Sequence, residues 1–114
     1  MYDIDNLDYF TEGQTGFIPL EFTDEEGASI IPSSLTCTIH DLVSGEVLME
    51  EVLSPEEAGI TIEITPSANR IVNPERKREV HVLTVIGAYG AGKMTTAEYR
   101  FVVVNLAFHA VEGE

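Results

Sequence analysis

The chain has 114 residues, 44% of them hydrophobic and 23% charged, which is the size of one domain and a composition that excludes intrinsic disorder. Asp and Glu number 20 against 6 Lys and Arg, a net charge of −14 at pH 7; a nucleic-acid partner is excluded, because that surface needs clustered cations to displace counterions. Cys37 is the single cysteine, so neither an intramolecular disulfide nor a cysteine-built metal site is expected.

Residues 1–12 are expected to form an N-terminal arm or the first strand. Ile4, Leu7, Tyr9 and Phe10 are spaced among aspartates, so they can bury on a neighbour while the carboxylates stay wet. The acidic start does not read as a secretory signal, and no apolar run approaches the ~20 residues that cross a bilayer. A cytosolic site of synthesis and no membrane partner are the expectation.

Residues 13–106 carry short runs of period-two alternation cut by Gly, Pro, Asn and Asp, which predicts strands. The run 14–22 puts Ile18, Leu20 and Phe22 on one face before the Asp24-Glu25-Glu26-Gly27 turn. In 35–41, Leu35, Cys37 and Ile39 oppose Thr36, Thr38 and His40; Ser44-Gly45 then turns the chain so that 46–53 returns as a hairpin. Residues 54–59 offer a Ser cap, Pro55 and acidic residues, the one stretch suited to a helical turn. Ile60, Ile62 and Ile64 alternate with polar residues, and 66–74 reads as a loop. Residues 79–86 are apolar at nearly every position, as in a central strand, and 95–105 set Tyr99, Phe101 and Val103 on one face. Residues 107–114 form a short acidic tail. The fold expected is all-β, a single immunoglobulin-like sandwich of about seven antiparallel strands.

Candidate chemistry is sparse. Gly87 to Lys93 fits the spacing of a phosphate-binding loop, but Met94 replaces the magnesium-holding Ser or Thr, and the following residues alternate like a strand instead of opening a helix. A glycine-rich hairpin is the expectation. The acidic groups Asp3, Asp5, Asp8 and Asp24, Glu25, Glu26 lack the spacing of a calcium loop. His40, His81 and His109 are far apart; His40 and His81 are expected at the surface or between strands. No residue has a nucleophile setting, so no enzyme activity, cofactor or metal is assigned. Arg76, Lys77 and Arg78, one basic spot on an acidic body, are the candidate for docking on an acidic neighbour.

Gly13-Gln14-Thr15 leading into 17–22, Thr23-Asp24 with Gly27, Thr38-Ile39-His40-Asp41 and Ser44-Gly45-Glu46 together resemble small immunoglobulin-like domains of tailed-bacteriophage virion proteins. Arg78-Glu79-Val80, Leu83-Thr84-Val85, a glycine-rich turn and Glu98-Tyr99-Arg100-Phe101 running to Val104-Asn105-Leu106 are similar to the closing strands of those domains. The resemblance implies a non-enzymatic structural protein folded in the host cytoplasm and resident in the virion. Its implied partners are capsid, portal, connector or tail proteins, met in multiple copies on a symmetric particle for capsid decoration, head–tail connection or fibre anchoring. The alternative is a carbohydrate- or receptor-binding module of a cell-surface or tail protein; four Tyr and no Trp supply little aromatic platform for it.

Overall fold

The computed structural model describes residues 7–106; Ile4, the aspartates at 3 and 5, His109 and the acidic tail lie outside the described residues. Seven strands follow in order: β1 Asp8–Thr11, β2 Gly16–Glu21, β3 Ser34–Asp41, β4 Val47–Leu53, β5 Gly59–Ile64, β6 Arg78–Tyr89 and β7 Lys93–Val104. They form a five-stranded sheet, β1-β7-β6-β3-β4, and a two-stranded sheet, β2-β5. The expected all-antiparallel arrangement needs one correction: β1 runs parallel to β7, with Asp8 opposite Phe101 and Thr11 opposite Val104. The hydroxyl of Tyr99 donates to the Asp8 carboxylate, which ties β1 to its neighbour through side chains as well.

Alternation decides which face is buried. Leu35, Cys37 and Ile39 of β3 face Val85 and Leu83 of β6 and Phe101 and Val103 of β7, and Ile18, Ile62 and Ile64 of the small sheet close over them. Each such aliphatic or aromatic side chain contributes roughly 1.5–3 kcal/mol by leaving water, so one shared core joins the two layers. β6 is buried on both faces in its middle, Val82 on the outer side and Leu83 on the inner, as its nearly continuous apolar run predicts. Cys37 is buried in this core, and desolvation, with Glu51 adding to it, pushes its thiol up from its ordinary pKa.

Two connections show how local chemistry shapes the chain. At the β6–β7 hairpin, Tyr89 pairs with Lys93 across Gly90-Ala91-Gly92. Gly90 and Gly92 take φ of 56° and 75°, a region that side chains disfavour. The connection at 54–59 holds no helical turn, contrary to expectation. The Ala58 carbonyl that a helix would keep for itself instead accepts the N–H of Phe22 at 3.1 Å, because binding β5 beside β2 outweighs one isolated turn.

Candidate functional site

Asp41 ends β3, and His81 on β6 is its register partner. Glu79 lies two residues before His81 on the same strand, hence on the same inner face. All three side chains are 0% exposed. Of the two expectations for His81, the surface one is corrected and the inter-strand one fits: the ring is an interior group, its Nε2 3.7 Å from Asp41 of the neighbouring strand, and it packs edge-on to Phe101 with centroids 5.8 Å apart. His40, on the outer face, is half-buried.

Each carboxylate is held by backbone donors. Glu79 accepts the N–H of Val72 on Oε1 and of Asn73 on Oε2, both at 2.8 Å. Asp41 Oδ2 accepts the Ser44 N–H at 2.9 Å, in the turn where Gly45 takes φ 78°. Arg76 reaches in from the loop before β6, its Nη1 3.5 Å from Asp41 Oδ2 and 3.4 Å from Glu79 Oε2. The loop is fixed from its other side by Asn105, whose amide donates to the carbonyls of Pro74 and Arg76 at 3.0 and 2.9 Å. His81 Nε2 stands 3.1 Å from Glu79 Oε1 and 3.7 Å from Asp41 Oδ1. Asp41 Oδ1 and His81 Nδ1 have no hydrogen-bond partner.

Burial disfavours the charged imidazole and outweighs the two carboxylates, so His81 titrates below its ordinary range. Burial works against ionising Asp41 as well, but the Ser44 hydrogen bonds, His81 and Arg76 together lower its pKa. The arrangement can hold concentrated charge or a cation. The three side chains are closed off from solvent, while Arg76 is 30% exposed.

The docking residues expected from sequence are only partly brought together. Tyr9, Lys77 and Arg78 line one crevice of about 230 Å³ with Val104. Arg76 does not join them: it turns inward to Asp41 and Glu79. Phe10 packs on Phe101 with centroids 5.5 Å apart and is half-buried against the core. Leu7 is half-buried, and Ile4 lies outside the described residues.

The remaining sequence candidates resolve into structure. Lys93 Nζ sits 2.9 Å from Glu25 Oε1 and the Tyr89 hydroxyl donates to Glu25 Oε2 at 2.8 Å, so the glycine-rich hairpin is tied to the acidic turn. Asp24 Oδ1 accepts the N–H groups of Glu26 and Ala28, both at 2.9 Å. A larger, open cleft of about 540 Å³ beside β2 and β5 is lined by Glu21, Glu56 and Glu57 over Pro19, Leu20 and Ile60, without an aromatic platform for a sugar ring. Comparison with known proteins returns no matching family model, no matching curated protein and no matching solved structure.

Proposed function

We propose that the chain is an immunoglobulin-like module serving as a non-enzymatic structural protein of a tailed-phage virion, bound to a larger assembly through the crevice at Tyr9, Lys77 and Arg78. The strand order supports the immunoglobulin-like reading: β4, β3, β6 and β7 fall in the order expected of C′, C, F and G, with β2 and β5 in the places of B and E. The observation that carries the docking reading is that three residues from β1 and the entry to β6, far apart in sequence, converge on one crevice. On a body of net charge −14, a cationic spot beside an aromatic ring fixes the orientation in which an acidic neighbour is met. Many copies on a symmetric particle turn a weak single contact into stable attachment.

The test is mass spectrometry of purified particles of the phage encoding the chain, with wild type and Arg78→Glu supplied in parallel. Stoichiometric incorporation of the wild type and at least tenfold less of the folded variant is the expected result. A chain absent from particles, or a variant incorporated equally well, refutes the reading.

A further inference from the structure

We propose that Asp41, Glu79 and His81 form a binding site for a first-row divalent transition-metal ion, zinc above all, that ties the end of β3 to the start of β6. One donor atom from each residue lies within 4.8 Å of the other two. The Nε2 to Oε1 and Nε2 to Oδ1 separations are 3.1 and 3.7 Å. Ions with bonds of about 2.0–2.2 Å to imidazole and carboxylate space their donors roughly 3–3.5 Å apart, so small side-chain adjustments close the set.

The two carboxylates divide their oxygens in the way such a site requires. Arg76 stands against Oδ2 and Oε2, leaving Oδ1 and Oε1 turned toward the ring. The two carboxylates share the Arg76 guanidinium through their other oxygens. A neutral ring donating from Nε2 to Glu79 leaves Asp41 Oδ1 with no partner, and a buried carboxylate oxygen in that state is costly. A metal ion satisfies Nε2, Oε1 and Oδ1 together.

The donor set selects among ions. One imidazole with two carboxylates suits zinc, cobalt, manganese or ferrous iron, whereas calcium takes 6–8 oxygens, more than these three residues supply. Metal on Nε2 places the ring proton on Nδ1, which has no acceptor; second-shell support of that kind is worth about 10–100-fold in affinity, so binding is weaker than in a fully buttressed site by that factor. This inference does not depend on the proposed role in a virion.

The experiment uses the full chain, stripped with chelator and titrated with Zn²⁺, Co²⁺ and Ca²⁺. Expected are one equivalent of Zn²⁺ per chain, a higher Tm, visible Co²⁺ absorption typical of low coordination number, and a shift of the His81 ring nitrogens in NMR that Ca²⁺ does not produce. Asp41→Asn and His81→Gln should each abolish the Co²⁺ absorption. An unmoved His81 ring in tenfold excess Zn²⁺ overturns the proposal, and so does Co²⁺ absorption that survives in both variants, which places the ion on the acidic surface. Should the variants not fold, the ring nitrogens of the native chain decide alone.

Discussion

Replacing Glu79 with alanine removes one carboxylate on which the loop before β6 depends. The N–H groups of Val72 and Asn73, each 2.8 Å from it, lose their acceptor, at about 1–3 kcal/mol apiece. Arg76 also loses a partner, but its side chain is 30% exposed and relaxes into water at little cost. The two lost acceptors cost roughly 2–6 kcal/mol, the buried His81 Nε2 also loses its partner at 3.1 Å, and the expectation is about 3–5 kcal/mol, the range seen when one member of a buried ionic network is removed. Urea unfolding followed by far-UV circular dichroism, in excess chelator, measures it. With a slope of about 1.5 kcal/mol per molar, the midpoint should fall by roughly 2–3 M. Glu79→Gln keeps one acceptor and sets an amide nitrogen against the other N–H, so about half the loss is expected. Glu46→Gln, at an ion pair with Arg70 whose side chains are both about half exposed, should cost about 0.5 kcal/mol or less. A loss below about 1 kcal/mol for Glu79→Ala would refute the view that this carboxylate organises the loop.

A methyl group at Gly87 would stand 2.7 Å from Leu35 Cδ2 and 3.0 Å from Thr95 Cγ2, so Gly87→Ala should destabilise by about 1–3 kcal/mol through overpacking, read as a lower Tm; an unchanged Tm would show that the two side chains give way freely. Glu25 is held down from 4.5 to about 2, chiefly by the Lys93 hydrogen bond. Because the folded value is the depressed one, the contribution of the pairing to stability is complete above pH 4.5 and fades as pH falls toward 2. Carbon-detected NMR titration should show Glu25 ionising well below the other exposed carboxylates and returning toward them in Lys93→Met. Calorimetry with magnesium ATP should detect no binding at the Gly87 to Lys93 hairpin, since Lys93 is engaged with Glu25; saturable binding abolished by Lys93→Met would reverse that reading.

Much of the strand layout was legible because several strands keep one face wet. Ile60, Ile62 and Ile64, and Leu35, Cys37 and Ile39, declare their inner face by strict alternation, and these residues pack into the core. The parallel partner of β1 was not legible: its four residues Asp8–Thr11 carry no signal of direction, and pairing with β7 is a choice made by the whole fold. The buried polar cluster was missed for a different reason. Glu79 and His81 share parity with Leu83 and Val85, so alternation places them inward, but a charged residue on a core face runs against the usual partition. Only the register that brings Asp41 opposite His81, and the loop that delivers Arg76, make that position tenable. Arg76 was grouped with Lys77 and Arg78 because the three are contiguous, whereas the turn into β6 sends their side chains to different environments.

The parallel pairing of β1 with β7 gives the molecule a direction of mechanical strength. Opposed pulls at Leu7 and Leu106 would slide the two strands along their shared axis, and the ladder from Asp8 with Phe101 to Thr11 with Val104 would bear the load together instead of opening bond by bond. Beyond that ladder, Glu12 adds its N–H to the Val104 carbonyl at 2.8 Å and its carboxylate to the Leu106 N–H at 3.0 Å, lengthening the clamp at its far end. Tension applied between these two points therefore meets a shear joint before it reaches the core.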